Sequence, residues 1–202
     1  MALKAYKFRF YPNKTQQKKL SGFFGAKRFV WNKCLDWRSD WYQTFAESVT
    51  GVDFSRELTW LKKLETYAWL KAVPSTVLTQ GLLDQDKAFK RFFKEGAGYP
   101  KFKNRHQLQS IRFQMDQRVV MNHYRAGSLL KITGLGEVKV RWSRIPKGVP
   151  KMVSLSRDPA GRYFVSMAID EDIQRLPESR KAVGIDLGTL TSMTLSDGIQ
   201  IE

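Results

Sequence analysis

Residues 181–198 read KAVGIDLGTLTSMTLSDG, and this stretch predicts a β-hairpin. The apolar run 183–187 is interrupted by Asp186, and a second run, 192–195, ends at the turn signal Asp197-Gly198. Asp186 therefore falls inside the first strand. A carboxylate between apolar residues of a strand is costly unless something compensates its charge, so we expect a metal ion or a bound ligand beside Asp186. The alternative is an aspartate that caps a turn next to a glycine.

The composition indicates a strongly basic protein. The chain has 202 residues, 42% of them hydrophobic, which is enough for one large domain or two small ones with real cores. Lys and Arg number 35 against 19 Asp and Glu, and the formal charge of +16 favours a polyanionic partner. A membrane surface is the rival partner, but no apolar run approaches the roughly 18 residues that a span needs, and residues 1–7 have no signal-peptide core. We expect a soluble cytoplasmic protein with no membrane partner, and favour a monomer.

The single cysteine and the two histidines carry no disulfide or zinc signal. Cys34 has no partner for an internal disulfide, and its place in a helical apolar stripe predicts a buried packing residue. His106 and His123 have no Cys or His neighbour at the spacing of zinc ligands. The sequence therefore predicts no metal finger.

The N-terminal residues predict a strand followed by helices. Residues 3–11 alternate, with Tyr6, Phe8 and Phe10 on one face and cations on the other, which is typical of a half-buried strand. Its cationic face is either solvated, as is usual, or part of a polyanion site.

A short helix, 16–24, is predicted next, with Thr15 as its N-cap and with Gly22 and Gly25 weakening or breaking it. A longer helix follows, because one apolar stripe continues at helical spacing over five turns. The stripe comprises Ala26, Val30, Cys34, Trp37, Trp41 and Phe45. The cations that lie off the stripe, and that we expect to be free to meet phosphate, are Lys27, Arg28 and Arg38.

Two more helices are predicted before residue 98. One spans 55–71, and the other starts at Val73-Pro74-Ser75 and continues to the glycines at 96 and 98. The N-terminal half of the last helix carries short polar side chains where a surface helix normally carries charge. Such groups either read base edges in a DNA groove or form an ordinary cap and a neutral exposed face. They are Ser75, Thr76, Thr79 and Gln80.

The C-terminal half of that helix and the segment after it form a basic and aromatic run. Its cations are opposed only by Glu95, and they are Lys87, Lys90, Arg91, Lys94, Lys101, Lys103 and Arg105. The interleaved aromatic residues are Phe89, Phe92, Phe93, Tyr99 and Phe102. A run of this kind favours binding to a nucleic-acid backbone over a merely solvated face.

From residue 110 the apolar period changes from 3.6 to 2, which indicates strands. The candidates are 110–115, 118–121, 128–132, 137–142, 152–156 and 162–169. Together with the opening strand they predict a small β-barrel with the helices inserted after its first strand. Between residues 138 and 151 a second basic patch occurs without an acid, and its cations are Lys139, Arg141, Arg144, Lys147 and Lys151. A polar linker at 173–180 precedes the hairpin.

Six short motifs, in order and at characteristic spacing, give the chain a family resemblance over essentially its whole length. They are Tyr11-Pro12-Asn13, Arg28-Phe29-Val30-Trp31-Asn32, Val73-Pro74-Ser75, Ala88-Phe89-Lys90-Arg91-Phe92-Phe93, Gly98-Tyr99-Pro100-Lys101-Phe102-Lys103 and Gly184-Ile185-Asp186-Leu187-Gly188. In these motifs the chain resembles the TnpB transposon-encoded proteins, RNA-guided DNA endonucleases related to type V CRISPR effectors. The resemblance implies a bacterial or archaeal, nucleoid-associated protein.

The resemblance implies an α+β protein of three parts. They are a wedge β-barrel (1–12 and 107–172), an inserted helical recognition domain (13–106) and, after the linker, the start of a RuvC domain of ribonuclease H fold (181–202). Its partners would be a guide RNA from the transposon end and target double-stranded DNA, on which the protein reads a short adjacent motif. The residues that fall where family members contact that motif are Ser55, Ser75, Thr76, Thr79 and Gln114, with Gln80 beside them.

By the same resemblance, Asp186 matches the first of three RuvC carboxylates that hold two Mg²⁺ ions. The second and third lie far downstream in the family, as do the zinc-binding cysteines, so Zn²⁺ is expected only in that downstream segment. We therefore expect that residues 1–202 alone do not cleave DNA. Two alternatives stay open: a nuclease-deficient, RNA-guided DNA-binding repressor derived from TnpB, and a fragment of an actin-like or chaperone-like ATPase, whose first phosphate loop residues 183–189 also resemble.

Overall fold

The structure is a computed structural model that describes residues 2–114, 129–144, 146, 148, 150, 152–172, 182–189 and 191–201. The chain divides into two compact units, Met1–Glu171 and Asp172–Glu202, called unit 1 and unit 2 below. Unit 1 contains an antiparallel sheet and the helices, so its fold class is α+β, as the sequence predicts. The predicted strand 118–121 and the linker 173–180 lie outside the described residues.

The sheet of unit 1 has six described strands and is curled. They are β1 (Ala2–Tyr11), β2 (Gln109–Gln114), β3 (Leu129–Ile132), β4 (Gly136–Arg141), β5 (Met152–Arg157) and β6 (Tyr163–Glu171). Their order is β2-β5-β6-β1-β4-β3. No pairing joins the two outer strands within the described residues, so a sheet, and not a closed barrel, is what the structure contains.

The inner face of the sheet follows from strict alternation in β1 and β6. Tyr6, Phe8 and Phe10 are buried on β1, and Val165 and Met167 are buried opposite them on β6. This confirms the predicted buried face of β1. Burial of each large apolar side chain contributes about 1.5–3 kcal/mol, which makes this face the centre of the core.

The first helix, α1 (Lys14–Phe45), is continuous, so the predicted break at Gly22 and Gly25 is wrong. A glycine costs about 1 kcal/mol relative to alanine inside a helix. Buried Phe23, Phe24 and Ala26 around the two glycines outweigh that cost.

The N-cap of α1 is Asn13 and not the predicted Thr15. Asn13 accepts from the Gln16 N–H at 2.8 Å, and the Gln16 side chain accepts from the Asn13 N–H at 3.0 Å, which completes a capping box. Gln16 also donates to the backbone oxygen of Glu137 on β4 at 2.6 Å. The cap therefore fixes the helix start to the sheet as well as satisfying its first N–H groups.

The apolar stripe of α1 is confirmed in its first half. Ala26, Val30 and Cys34 are fully buried, whereas Phe45 is 56% exposed. Burial also raises the pKa of the Cys34 thiol to about 11, which is the behaviour of a packing residue.

The predicted helix 55–71 is two separate elements. Helix α2 (Gly51–Leu61) begins earlier than expected, because Thr50 and Asp53 form a capping box; the Thr50 hydroxyl bond holds the pKa of the Asp53 carboxyl below its usual value. A 3₁₀ helix, Glu65–Ala72, follows and buries Leu70. Helix α3 (Ser75–Glu95) matches its prediction, with Pro74 at the N-cap and Gly96 in the left-handed conformation at the C-cap.

Unit 2 contains a small antiparallel sheet of β7 (Ile185–Asp186), β8 (Met193–Leu195) and β9 (Gln200–Ile201). Asp186 lies opposite Thr194, so the predicted hairpin is present. In this unit Asp186 is exposed, and its neighbours Ile185 and Leu187 are 58% and 72% exposed. In the described part of the chain, no helix has the length and apolarity to cross a bilayer.

Candidate nucleic-acid interface

Asp84 on α3 binds two cations from different elements. Its Oδ2 accepts from Lys27 Nζ on α1 at 2.9 Å, and its Oδ1 pairs with the guanidinium of Arg112 on β2. Lys27 reaches it across Gly81, where a Cβ would lie 3.1 Å from Lys27 Cγ. Both carboxylate oxygens are therefore occupied, and the expectation that Lys27 lies free on the surface is wrong, since its side chain is 7% exposed.

Asp86 plays the same part for Arg38. The buried Arg38 guanidinium pairs with Asp86 and lies 4.7 Å from the ring centre of Phe89. The Gly51 N–H donates to the same carboxylate at 2.9 Å. Arg38 thus ties α1 to α3 and to the start of α2, and the expectation that it is free for phosphate is also wrong.

The segment that carries Lys101 and Lys103 is fixed to α1 by side-chain hydrogen bonds. Asn32 accepts from the Lys103 N–H at 2.8 Å and donates to the Lys103 oxygen at 3.0 Å. Trp31 Nε1 donates to the Lys101 oxygen at 3.0 Å. Two of the sequence motifs, the one at 28–32 and the one at 98–103, are therefore partners in one contact.

Among the described cations of this surface, Lys103 has the most strongly shifted pKa. Its ammonium lies 3.5 Å from the ring centre of Trp31. Burial lowers the pKa of Lys103 to about 8, and the charges of Lys27 and Arg112 lower it further, against the opposing effect of Asp84. Lys103 is thus a lysine whose charge state changes just above neutral pH.

The aromatic residues of the basic run pack on one another. The edge of Tyr99 meets Phe89 and Phe92, with ring centres 5.5 and 5.4 Å apart, and Phe89 stacks on Phe93 at 6.2 Å. Phe93 and Phe102 stay largely exposed, at 69% and 57%. The cluster orders residues 98–100 against α3 and leaves two rings accessible to a partner.

Most cations of the basic run lie on the surface. The exposed ones are Lys87, Lys90, Arg91, Lys94, Lys101 and Arg105, and Lys103 is half-buried. Arg28 is half-buried and donates to Gln109 Oε1 at 3.0 Å. The cations from Lys87 to Arg105 therefore follow α3 and the segment after it, as the sequence predicts, and Arg28 lies on α1.

The predicted base-reading residues lie on two helices and the end of β2. Ser75 and Thr79 are exposed on the first two turns of α3. The residues that directly follow them, Thr76 and Gln80, are half-buried. Ser55 is half-buried on α2. Gln114 ends β2, and its side chain lies outside the described set. Contact of these residues with DNA stays a prediction.

The second basic patch gains Arg9 beside its predicted members, of which Lys147 and Lys151 lie outside the described residues. Lys139 and Arg141 are exposed on β4, and Arg9 of β1 lies directly opposite Arg141. Arg144 lies 4.9 Å from the ring centre of Tyr6. Like charges directly opposite one another destabilise a sheet, so Arg9 and Arg141 lower the stability of the free protein. A bound polyanion would offset their repulsion.

Sequence reasoning missed Asp84 and Arg112. The available signal is that Asp84 is one of few acids in a basic helix and follows Gly81 by one turn, on a face that packs against α1. Which cation forms an ion pair with a given acid depends on helix packing. The alternation of β2 alone shows only that Arg112 is not in the sheet core.

Asp186 does not form a metal site with other described residues. Across those residues, no group of three or more His, Cys, Asp or Glu side chains could hold a metal ion. Two-metal chemistry needs several carboxylates around the ions. The residues present therefore do not fit a two-magnesium centre by themselves, and we derive no reaction step through magnesium.

The fold and this surface are those of a basic α+β protein with helices and a curled sheet. Its cations are held in place by aromatic rings and by carboxylates that each bind more than one group. A family model described as a helix-turn-helix domain matches residues 1–46, which the structure forms from β1 and α1. The chain is 37% identical over 200 residues to a Streptomyces pristinaespiralis protein named "Putative RNA-guided DNA endonuclease" and 31% identical over 202 residues to InsQ of Escherichia coli K12, which carries the same description. These matches cover 98% and 99% of the chain and 49% of each relative.

Over nearly its whole length the chain is similar to these RNA-guided DNA endonucleases, in agreement with the resemblance to the TnpB family, and it spans about half the length of these two relatives. It is also 36% identical over 113 residues to the virulence protein VsdF of Salmonella dublin, a match that covers 52% of this chain and 95% of that protein.

Proposed function

We propose that this chain is the recognition part of an RNA-guided DNA endonuclease of the TnpB type. In this role it binds a guide RNA derived from the transposon end and reads a short motif next to the target on double-stranded DNA. The guide carries most of the sequence specificity by base pairing, so the protein needs a basic channel and few base contacts.

The observation that carries the proposal is the fixed basic surface of α3 and residues 99–105. Its cations other than Lys103 are exposed, while the backbone beneath them is held by Asn32 and Trp31 and by the packing of Tyr99. A surface that is ordered before binding loses less side-chain and backbone entropy when it meets a phosphate backbone. Phe93 and Phe102 add accessible rings on which bases can stack.

Motif reading is assigned to the polar half of α3. Ser75 and Thr79 are exposed, carry hydroxyl donors and acceptors, and lie one helical turn apart. Their short side chains let a groove edge approach the helix closely. Thr76, Gln80, Ser55 and Gln114 complete the set that the family resemblance implies.

Asp186 is assigned as one carboxylate of a RuvC site that cleaves DNA with Mg²⁺ in the full-length family. When bound there, the ions would activate water and stabilise the leaving oxygen. We assign no cleavage step to residues 1–202, because one exposed carboxylate cannot align two ions.

The central test is sequencing of the RNA that copurifies with the chain. The proposal expects a discrete species that contains a transposon-end scaffold. Bulk cellular RNA without such a species would contradict the guide-RNA assignment and leave only nonspecific binding.

A paired measurement tests the surface itself. The double variant Lys87→Ala/Lys94→Ala should weaken binding to the copurified RNA and reduce the slope of log K against log salt by about 1.4–1.8, since each of the two lost phosphate contacts removes about 0.7–0.9. Lys14→Ala/Lys18→Ala is the matched control, because both lysines are exposed on the first turns of α1 and the charge change is the same. Equal losses of RNA affinity in the two double variants would contradict the assignment of RNA binding to the surface of α3 and residues 99–105.

A further inference from the structure

A polar cleft of about 170 Å³ opens in unit 1 between α1, α3, β2 and the segment before β2. At about 30 Å³ per water molecule, this is room for roughly five waters, or for one tetrahedral oxyanion. The polar side chains that matter in its wall are Lys27, Arg28, Asp84, Lys103, Gln109 and Arg112.

The charges of the cleft do not balance. Four of the six side chains are cations, and Asp84 is the one acid among the described residues that line it. Both Asp84 oxygens are already bound, one to Lys27 and one to Arg112. Within the described chain, neither Arg28 nor Lys103 has an ion-pair partner, so the wall retains uncompensated positive charge.

The two unpaired cations are held in position by neutral groups. Gln109 Oε1 accepts from Arg28 at 3.0 Å, while Gln109 Nε2 donates to the backbone oxygens of Asn104 and Gln107 at 3.0 and 2.7 Å. The backbone of Lys103 is clamped by Asn32, and its ammonium lies over Trp31. The cations are thus pre-positioned around a space that is large enough for an anion.

We propose that this cleft binds one phosphate group of a nucleic-acid backbone, with Lys103 and Arg28 as its main donors. The inference rests on the proposed nucleic-acid-binding function and adds a specific anion subsite to it. A phosphate matches the site because it brings negative charge to unpaired cations and accepts several hydrogen bonds, and Arg28 can offer two parallel donors to it.

Occupation of the cleft must change the protonation of Lys103. Without a bound anion, the pKa of Lys103 in the folded protein is about 8, because of burial and the neighbouring charges of Lys27 and Arg112. A bound anion attracts the charged ammonium and therefore raises that pKa. Above pH 8, binding therefore takes up a proton, and the affinity falls as the pH rises.

The charged groups that face Lys103 across the cleft are Lys27 and Arg28 on α1, Asp84 on α3 and Arg112 on β2. His106, three residues after Lys103, is exposed and does not line the cleft.

The test measures the affinity of the full chain for a fluorescent single-stranded RNA and for a DNA duplex at pH 7 and pH 9, at constant salt. The wild type should lose about tenfold in affinity between the two pH values for the nucleic acid that fills the cleft. Lys103→Arg should bind with little pH dependence, since arginine stays charged. Lys103→Met should bind weakly at both pH values.

Two controls keep the outcome unambiguous. Lys18→Met, at an exposed position on α1, should retain the wild-type pH profile. Because Asn32 contacts only the backbone of residue 103, the variants there keep the clamp, and their thermal unfolding verifies the fold.

The outcomes separate the subsite from the proposed function. Tight binding whose pH dependence is the same in the wild type and Lys103→Arg overturns the subsite and leaves nucleic-acid recognition standing. Absence of RNA and DNA binding at pH 7 overturns both. A tenfold pH effect in the RNA arm alone, or in the DNA arm alone, supports the subsite and identifies its ligand.

Discussion

The side chain of Asn32 in α1 makes the two hydrogen bonds to the backbone of Lys103 that a neighbouring β-strand would make in a sheet. Its amide offers one acceptor and one donor, and both meet the backbone of Lys103. Asn is a poor residue for a helix interior, because its side chain competes for backbone bonds. In α1 that local cost is offset by the positioning of residues 101–103, on which the basic surface depends.

Asn32→Ala should lower the free energy of unfolding by about 1–3 kcal/mol, because it leaves the half-buried N–H and oxygen of Lys103 without partners. It should also speed hydrogen exchange in residues 99–105 more than in β1. Lys33→Ala, at the next and exposed position of α1, is the control and should change stability by less than about 0.5 kcal/mol. Equal denaturation midpoints for the two variants would refute the clamp.

Lys103 should also make the stability of the free chain depend on pH. Its pKa is about 8 in the folded protein, against 10.5 for an unperturbed lysine, so between these values the unfolded state binds more protons. Stability conferred by the neutral side chain therefore rises with pH across that window and is lost as the pH falls through about 8.

Chemical denaturation at pH 8 and pH 10 measures this effect. The free energy of unfolding of the wild type, relative to that of Lys103→Met, should rise by about 1 kcal/mol between the two pH values, since solvent screens the partly exposed ammonium and reduces the effect of its pKa shift. Other titrating groups cancel in the comparison, since they are common to both proteins. A difference that is constant with pH would show that Lys103 keeps its usual pKa.

At the scale of elements, patterns that are local in sequence predict the structure well. The alternation of β1 and the Pro74 start of α3 are examples, because side-chain periodicity and caps depend on few residues. The continuity of α1 and the burial of Lys27 and Arg38 could not be predicted in the same way. The continuity of α1 depends on the burial of Phe23, Phe24 and Ala26. The burial of Lys27 and Arg38 depends on Asp84 and Asp86, which only the packing of α3 brings to α1.

Two glycines illustrate the same contrast. Gly22 in α1 has no heavy atom within 4 Å of an added Cβ, whereas at Gly51 that atom would lie 2.8 Å from Asp86 Oδ2 and 3.1 Å from the Leu82 oxygen. Gly22→Ala should therefore stabilise the protein by about 1 kcal/mol, because it removes the helix cost of glycine. Gly51→Ala should destabilise it by about 1–3 kcal/mol, because the crowded junction must shift.

Urea denaturation of the two variants, each changed by the same single methyl group, provides the comparison. Opposite shifts of the midpoint are expected. A stabilising shift for Gly51→Ala would mean that α2 does not approach α3 as closely as the contact with Asp86 requires.

At the scale of the whole molecule, the positive charge is concentrated in one part of the chain. Residues 172–202 contain three Lys or Arg and five Asp or Glu, so the excess of +16 comes entirely from residues 1–171. The partner class could be predicted from this excess alone. The location of the binding surface could not, because several of the cations are bound to internal carboxylates and others surround the cleft.

Unit 1 should therefore account for the nucleic-acid affinity of the chain. Residues 1–171 contain the sheet, the helices, the cleft and both basic patches as one compact unit, so we expect them to unfold cooperatively on their own. Their affinity for the copurified RNA should match that of the chain 1–202 within about threefold, and the slope of log K against log salt should differ by less than about 1, the equivalent of one phosphate contact. Titration of both chains over a salt series measures this. A larger fall in slope would mean that unit 2 contacts phosphate despite its net negative charge; in that case Arg175, Arg180 and Lys181, the three cations of unit 2, would be the residues to change next.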